Sequence, residues 1–355
     1  MIKTIKTNST IRICFLPEVY PAGDEVVTIY ETTGKVVPPG KIPISIGITV
    51  FNVETILNIY RAIHEKEAVT YKYITIAGEV KKPATLKVPL GITVEECIKE
   101  VGGATVEDPV YINGGPMTGK IVEGYDTITK TSNAILVLSP NQYIVRKRKS
   151  KVSIDMKRAM SACCQCQMCT ELCPRNLVGH PIRPHAFMRA ATSGNTKEVN
   201  TFMETFYCSQ CGLCEMYACF QGLSPKTLIE QCKNNLRKNG VMPLQEVTQR
   251  EVNQQRSYRT VSKERLTARL GLEKYDIEAP LVDTLVQTSL VKIAMKQHIG
   301  ISAAPCVKKG DVIQKGDIIG NINNESLGAF IHASISGLVL DVNHDYVTIK
   351  KVNNM

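Results

Sequence analysis

Hydrophobic positions recur with different periods along the chain and divide it into four segments. The first segment, residues 1–62, places turn signals at residues 20–24 and 38–40 between runs that are rich in β-branched residues, which indicates β-structure. Its last part, residues 53–63, repeats apolar positions at helical spacing and predicts a helix.

The second segment, residues 70–142, alternates short strands with turns. Its pattern predicts strands over residues 73–77 and 85–88, followed by a helix over residues 94–101 that stops at a pair of glycines. Strand, hairpin, helix and strand in this order predict a small α+β domain.

The third and fourth segments differ in character. Residues 150–275 hold most of the cysteines and show little strand signal, and from residue 225 to residue 272 their pattern is polar and helical. Residues 288–352 return to short β-branched runs between glycines, and residues 308–319 predict two strands around a tight turn. The whole chain is therefore predicted to be an α+β multidomain protein.

Length and composition are typical of a soluble globular protein with several domains. The chain has 355 residues, enough for roughly two to four domains, and 43% of its residues are hydrophobic. It has no apolar run near the ~20 residues of a membrane span, and its first residues lack the apolar core of a signal peptide. We therefore expect a cytoplasmic protein without direct membrane insertion.

Cysteine is the anomalous residue of this sequence. Nine of the 13 cysteines fall between Cys163 and Cys219. Disulfide frameworks belong to secreted proteins, and nothing in this sequence indicates secretion, so the cluster of cysteines indicates metal binding. We expect the scattered cysteines to be small buried hydrophobic residues. These are Cys14, Cys97, Cys232 and Cys306.

The first cysteine run has the spacing of a bacterial ferredoxin. Its members are Cys163, Cys166, Cys169 and Cys173, at intervals of x2, x2 and x3, and Pro174 follows the last of them. The tight spacing lets the first three thiolates ligate one [4Fe–4S] cluster, while the following turn carries the fourth to the other cluster. Proline fits that turn because it cannot continue a regular ladder.

The second run repeats this arrangement with one extra residue. Its members are Cys208, Cys211, Cys214 and Cys219, so that the last interval is x4, and Phe220 stands where proline is expected. We expect the loop before the last cysteine to bulge in order to hold the additional residue.

In two-cluster bacterial ferredoxins the fourth cysteine of each run ligates the cluster that is held by the other run. Cys164 is the surplus cysteine; its replacing Cys163 as a ligand is the alternative, although only Cys163 gives the x2 interval. A pair of zinc sites is the alternative, but zinc sites usually separate two CxxC pairs, whereas here three cysteines recur at x2 spacing in both runs. The predicted ligand sets are Cys163, Cys166, Cys169 and Cys219 for one cluster, and Cys173, Cys208, Cys211 and Cys214 for the other.

Positive charge is concentrated beside the first cysteine run. The formal net charge is +10, and residues 143–175 contain eight Lys or Arg residues against two acidic ones. This basic stretch is a solvated face, or it offsets the negative charge of thiolate-ligated clusters, or it binds an acidic partner. Nucleic acid is disfavoured as a partner because no aromatic stacking platform accompanies the stretch.

Several motifs resemble one known family, the C subunit of the Rnf electron-transport complex and its soluble relatives. The resemblance is carried by residues 169–175 and 179–185 at the first run and by residues 211–219 and 222–225 at the second, and it covers nearly the whole chain. Within that family the pattern, including the x4 interval, is most similar to the cobalamin-reductase subfamily of propanediol utilisation.

The two histidines of residues 179–185, His180 and His185, are either hydrogen-bond donors to cluster sulfur or packed loop residues, and we favour packing.

The resemblance implies a domain for each segment. It implies the C-terminal part of a complex I flavoprotein-like FMN/NADH domain over residues 1–62 and a soluble-ligand-binding β-grasp domain over residues 70–142. It also implies an α-helical ferredoxin-like dicluster domain over residues 150–275 and a β barrel-sandwich domain, similar to lipoyl carriers, over residues 288–352.

By the same resemblance, two turns of the first segment contact flavin or nicotinamide. Ordinary turns are the alternative. No Gly-rich phosphate loop, whose exposed backbone amides would cradle phosphate, lies upstream of Tyr20. We therefore expect either a truncated sequence or a form that does not hold FMN. The implied contact residues are Gly23, Asp24, Glu25, Asn52, Glu54 and Thr55.

These expectations together predict an iron–sulfur electron carrier with two [4Fe–4S] clusters. In the full-length family FMN and NADH take part, so the resemblance implies oxidoreductase chemistry that the cofactors perform, and no catalytic residue is assigned. The implied partner is cobalamin or a redox protein, with cobalamin as first acceptor and a proline reductase system as second. Two other functions stay open: a peripheral subunit of an Rnf-type ion-pumping complex or of a microcompartment, and a non-redox scaffold stabilised by its clusters.

Overall fold

The computed structural model describes residues 11–244, 247–323 and 326–352. Within it the chain forms two compact units. One contains residues up to 50 together with residues 150–273, and the other contains residues 51–149 together with those from residue 274 on. The first and third segments of the sequence thus fall mostly in one unit, and the second and fourth fall in the other. The division into four domains remains a prediction.

Helices and strands alternate along the described residues. In chain order the α-helices are α1 (Glu25–Thr33), α2 (Val53–Tyr60), α3 (Val94–Glu100), α4 (Tyr143–Lys149), α5 (Val152–Ala162), α6 (Met168–Glu171), α7 (Pro174–Leu177), α8 (Pro184–Thr192), α9 (Val199–Met203), α10 (Leu213–Met216), α11 (Pro225–Lys238) and α12 (Lys263–Leu270). The strands are β1 (Val19–Tyr20), β2 (Tyr71–Gly78), β3 (Ala84–Pro89), β4 (Val110–Asn113), β5 (Lys120–Val122), β6 (Ala134–Leu138), β7 (Val261–Ser262), β8 (Leu281–Leu285), β9 (Leu290–Ala294), β10 (Ala304–Pro305), β11 (Val312–Ile313), β12 (Ile318–Asn321), β13 (Ile331–His332), β14 (Gly337–Val342) and β15 (Tyr346–Lys350). Among the described residues, no helix is both long enough and apolar enough to cross a membrane.

The first unit is mainly helical around the cysteine runs. Strands β1 and β7 form a short antiparallel pair. The helical prediction for residues 225–272 is confirmed for α11 and α12, but it is wrong between them, where the described residues from 241 to 253 are neither helix nor strand. Helices α5, α8 and α11 pack around buried apolar side chains, among them Ala159, Phe187, Met188, Leu228 and Ile229.

Helix α1 corrects the prediction of β-structure in the first segment. Its sequence is rich in β-branched residues, which favour strands, but both of its ends are capped. The Asp24 side chain accepts hydrogen bonds from the Val26 and Val27 N–H groups, and Gly34 ends the helix with a φ of 71°. Because the caps satisfy terminal backbone groups and Ile29 is buried against the unit, the helix is favoured over a strand.

A six-stranded sheet forms the β-grasp part of the second unit. Its strand order is β5-β4-β6-β2-β3-β8, with β2 and β3 antiparallel and β2 and β6 parallel. The predicted strands over 73–77 and 85–88 and the predicted helix over 94–101 are confirmed as β2, β3 and α3. Thr93 and Glu96 form a capping box at the start of α3, and this helix buries Val94, Cys97 and Ile98 against the sheet.

The predicted helix over residues 53–63 is confirmed in its first part. Helix α2 begins after Asn52, whose side chain accepts from the Glu54 N–H, and a π-helical turn, Arg61–Glu65, continues it. None of the residues of α2 is buried.

Two small sheets form the barrel-sandwich part of the second unit, with orders β10-β12-β13 and β11-β14-β15-β9. The two strands predicted within residues 308–319 are present as β11 and β12, around a turn in which the Gln314 N–H donates to Asp317. They do not pair with each other, because β11 pairs with β14 whereas β12 pairs with β10 and β13. The chain crosses between sheets here so that both Ile313 and Ile319 enter the shared core.

Candidate metal centres

The two cysteine runs share one backbone conformation at a separation of 45 residues along the chain. In each run the residues on either side of the second cysteine have positive φ. A left-handed conformation costs a non-glycine residue roughly 1–2 kcal/mol, so its recurrence at matching places indicates a functional requirement. Such turns direct successive N–H groups to one side and form a concavity that binds anions, which suits a thiolate-ligated cluster. The φ values are 55° at Gln165, 64° at Gln167, 62° at Gln210 and 83° at Gly212.

The first predicted ligand set, which we call the Cys163 group, lines one cavity; it consists of Cys163, Cys166, Cys169 and Cys219. The pKa of the Cys169 thiol is raised to about 12, first by burial and then by Cys219, Cys166 and Cys163 nearby. Electrostatic coupling between thiols requires short distances. The fold therefore brings Cys219 to the first run. Bound metal ions deprotonate coordinating thiols outright, so the raised pKa belongs to the metal-free thiol.

The second predicted set, the Cys208 group, is assembled in the same way; it consists of Cys173, Cys208, Cys211 and Cys214. Burial raises the pKa of the Cys173 thiol, and the nearby Cys211 and Cys208 raise it further. Burial likewise raises the pKa of the Cys214 thiol, with added contributions from Cys208 and Cys211 and a smaller one from Cys169 of the other group. Cys173 therefore lies beside the cysteines of the second run, although it belongs to the first run in sequence.

Hydrogen-bond donors already point to sulfur in both groups. The Gln165 amide Nε2 donates to Cys163 Sγ at 3.2 Å, and the Leu223 backbone N–H donates to Cys219 Sγ at 3.3 Å. In the other group the Gln210 backbone N–H donates to Cys208 Sγ at 3.4 Å. Donors of this kind surround the sulfur atoms of iron–sulfur clusters and help to set their potentials.

The two groups differ in exposure. In the Cys163 group Cys166 is exposed, and Phe220 beside this group is 60% exposed. In the Cys208 group Cys173 and Cys214 are buried. The Cys163 group therefore lies at the surface of its unit, whereas the Cys208 group lies deeper.

The x4 interval is accommodated in the turn after α10. There the Ala218 N–H donates to the Leu213 carbonyl, five residues back, at 2.9 Å. In the first run the Cys173 N–H donates to the Thr170 carbonyl, only three residues back. The wider turn is the bulge that the extra residue was expected to produce.

Ligation itself remains a prediction. Within the part of the chain that the structure describes, no three or more His, Cys, Asp and Glu side chains form a group that could hold a metal ion. The fit of a cluster to each cysteine group rests instead on the repeated backbone concavities, the donors to sulfur and the assembly of four cysteines from both runs.

The remaining cysteines and the two histidines lie mostly outside these groups. Cys97 is buried, and burial raises the pKa of its thiol to about 12, as expected for a hydrophobic residue. The same expectation is wrong for Cys14 and Cys306, which are exposed. His180 is buried, with Nε2 at 2.8 Å from the Val37 carbonyl, and His185 contacts the Thr170 hydroxyl at 2.8 Å beside the Cys163 group.

The first turn implied to contact flavin lies in the first unit beside the Cys208 group. The Tyr20 hydroxyl donates to the Cys211 carbonyl at 2.7 Å. Asp24 caps α1 and forms an ion pair with Arg175 at 2.9 Å, while Gly23 and Glu25 are exposed. The Asp24 carboxylate is therefore already engaged within the protein.

The second such turn lies in the other unit. Asn52 caps α2, and Thr55 is exposed. Glu54 forms an ion pair with Lys72 and accepts a hydrogen bond from the Tyr73 N–H at 3.3 Å. The Glu54 carboxylate, like that of Asp24, is therefore already engaged within the protein, and the contact of these residues with flavin remains a prediction.

Three residues of the site were missed from the sequence. Gln165 and Gln210 occupy equivalent positions when the two runs are aligned at their 45-residue separation, so the repeat itself could have revealed them. Arg175 gave no local signal, because its partner Asp24 lies 151 residues away in the chain.

Four family models match the chain. A 4Fe-4S dicluster domain matches residues 162–224 and an RnfC barrel sandwich hybrid domain matches residues 273–354. A Nuo51 FMN-binding domain matches residues 1–61 and an SLBB domain matches residues 73–120. These matches confirm the predicted fold class and the predicted dicluster chemistry.

Curated relatives match over longer stretches. Cobalamin reductase PduS of Citrobacter freundii is 38% identical over 340 residues, which cover 96% of this chain and 75% of that protein, and PduS of Salmonella typhimurium matches to the same extent. The C subunit of the Na(+)-translocating ferredoxin:NAD(+) oxidoreductase complex of Acetobacterium woodii is 29% identical over 179 residues, 50% of this chain and 38% of that protein. The chain therefore belongs to the family of iron–sulfur electron-transfer proteins that includes cobalamin reductase PduS and is related to the C subunits of ion-translocating oxidoreductase complexes.

Proposed function

We propose that the chain carries electrons through two [4Fe–4S] clusters, one held by the Cys163 group and the other by the Cys208 group. The observation that supports this most strongly is the exchange of fourth cysteines, since Cys219 lines one cavity with Cys163, Cys166 and Cys169, and Cys173 packs in one cluster with Cys208. When bound, such clusters accept and donate single electrons.

The residues around each group have definable tasks in this proposal. The left-handed turns aim backbone N–H groups at the clusters, and the thiolates fix them in place. Cationic side chains would offset the negative charge of the cluster held by the Cys208 group. Lys233 Nζ donates to the Cys208 carbonyl at 3.2 Å. The charge of Arg175 lowers the pKa of the Cys208 thiol, although burial has the larger effect and raises it. Burial of Cys173 and Cys214 keeps water away from that cluster.

We further infer a direction for electron flow, from the Cys208 group to the Cys163 group. Two observations support it. The segment that contains Tyr20 and Asp24 contacts the Cys208 group through Cys211 and Arg175, and it belongs to the part that matches an FMN-binding domain. The Cys163 group faces solvent at Cys166, where an acceptor can approach.

The acceptor that the relatives favour is cobalamin, because both PduS proteins are cobalamin reductases. The test mixes the anaerobically reduced chain with hydroxocobalamin and follows the cobalamin absorption spectrum. Reduction of cobalamin in proportion to the electrons stored is expected. A chain that reduces a small viologen or quinone acceptor but not cobalamin would reject cobalamin while retaining electron transfer.

A second candidate is a peripheral component of an ion-translocating complex, which the match to the Acetobacterium woodii protein favours. Such a component would bind a membrane partner tightly. Affinity purification of the tagged chain from detergent-solubilised membranes would recover that partner if this candidate is correct, and the chain alone if it acts with cobalamin.

Iron and sulfide content provides the direct test of the clusters. After anaerobic reconstitution we expect about eight irons and about eight acid-labile sulfides per chain, because two cubanes each hold four of both. Colorimetric iron and sulfide assays, with the visible charge-transfer absorption, measure this. About two zinc ions per chain with no visible absorption would contradict the proposal.

Flavin content is expected to be far below one FMN per chain. The polar groups at both candidate turns are bonded within the protein, Asp24 to Arg175 and Glu54 to Lys72, so that neither carboxylate is free for flavin. Fluorescence of the flavin released by acid from purified protein measures the ratio. One FMN per chain would show that these residues exchange their internal partners for flavin.

A further inference from the structure

Two glutamines occupy equivalent places in the two cysteine runs. Gln165 and Gln210 each precede the second cysteine of their run, and both have a left-handed backbone. The Gln165 amide Nε2 donates to Cys163 Sγ at 3.2 Å. Because the backbone conformation repeats, the two glutamine side chains leave the backbone at corresponding positions, each beside its own cysteine group.

The Gln210 amide is buried without partners. Both its Nε2 and its Oε1 are inaccessible to solvent, and neither has a hydrogen-bond partner among the described residues. A buried amide in this state is unfavourable, because it has lost its bonds to water and gained none in return. Its position next to Cys211 fits a donor to the sulfur of a cluster.

The backbone alone does not explain glutamine at this position. Glycine adopts left-handed φ values without strain, and the other left-handed position of the second run is in fact Gly212. Gln210 adopts a φ of 62° despite the strain that a side chain adds. The strain indicates that the side chain of Gln210 has a role that glycine would not fill.

We propose that the Gln165 and Gln210 amides donate hydrogen bonds to sulfur of the cluster held by their own run, and that each bond raises the reduction potential of that cluster. The inference rests on the proposed function, since it needs a cluster in each group. A donor N–H stabilises the additional negative charge of the reduced cluster, so its presence favours reduction. Both glutamines are positioning residues, which act on the clusters and not on a substrate.

The test is a redox titration of the reconstituted full chain, monitored by electron paramagnetic resonance. Gln210→Leu and Gln210→Glu both remove the N–H donor while keeping a side chain of similar size. Each is expected to lower the midpoint potential of one cluster and to leave the other unchanged. Gln165→Leu is expected to lower the potential of the other cluster. The control is Gln231→Leu, an exposed amide on α11 outside both runs, and it is expected to change neither.

The outcomes separate this inference from the proposed function. Full iron content with unshifted potentials in both Gln210 variants would overturn the inference and leave the electron-carrier function standing. A merely structural glutamine would lower iron content without moving the potential of the clusters that remain, which would also overturn it. A wild-type chain that binds no iron under anaerobic reconstitution would overturn both.

Discussion

Replacing Cys219 with serine is expected to damage the cluster of the Cys163 group and to leave that of the Cys208 group largely intact, and Cys173→Ser is expected to do the reverse. The reason is that each fourth cysteine lies beside the other run: Cys219 lines the cavity of the first run, and Cys173 packs with Cys208. A serine hydroxyl replaces a soft thiolate, which iron–sulfur clusters prefer. Each single variant should fall from about eight irons to about four.

Double variants identify which cluster survives. If ligation is crossed, Cys166→Ser combined with Cys219→Ser removes the same cluster twice and should keep about four irons. Cys211→Ser combined with Cys219→Ser should lose nearly all iron, because both clusters are then damaged. The opposite pattern would show that Cys219 ligates the cluster of its own run. Cys164→Ser, an exposed neighbour of the first run, is the control and should retain full iron.

Gly179→Ala is expected to destabilise the first unit by about 3 kcal/mol or more. Gly179 has a φ of 92°, and a Cβ there would lie 2.1 Å from the Arg250 carbonyl oxygen. The Arg250 N–H donates to the Gly179 carbonyl and the Asn253 N–H to the Leu177 carbonyl, so this clash pushes residues 250–253 off the loop that follows α7.

Gly194→Ala is the matched control for backbone strain without a clash. Gly194 has a φ of 66° with open space where the Cβ would be, so a loss of only about 1 kcal/mol is expected. Thermal unfolding of the cluster-free protein, followed by circular dichroism, should show midpoints lowered by roughly 6–12 °C for Gly179→Ala and roughly 2–4 °C for the control. Equal midpoints in the two variants would show that residue 250 does not approach Gly179 so closely.

Local patterns were sufficient wherever one short stretch of chain specifies its own structure. Three thiolates within seven residues can ligate a single cluster, so the spacing in each run predicts the ligand sets before any fold is known. Strands β2 and β3 and helix α3 were predicted for a similar reason, because their side-chain periodicity, their turn and the capping box at Thr93 are all local.

Local patterns failed where propensity competed with capping or with pairing to distant strands. Residues 25–33 have a β-branched composition but form α1, because Asp24 and Gly34 cap the helix and its apolar side chains are buried. Residues 308–319 show two strands around a turn, yet the partners of β11 and β12 belong to different sheets. Two strands that pair with each other in a hairpin and two strands that belong to different sheets can have the same hydrophobic pattern. Only the packing of the core decides which partner each strand takes.

The sequence by itself determined the dicluster iron–sulfur chemistry, because that chemistry depends on cysteines at short spacing, and the same spacing predicted the two ligand sets. The domain types followed from the resemblance of its motifs to a known family. Tertiary structure alone decided that the Tyr20 segment contacts the Cys208 group, that the Cys163 group is the exposed one, and that β8 pairs with β3, which lies about 200 residues earlier in the chain. Such contacts join residues far apart in the chain. They arise from the burial of complementary surfaces, and no local periodicity records which surfaces will meet.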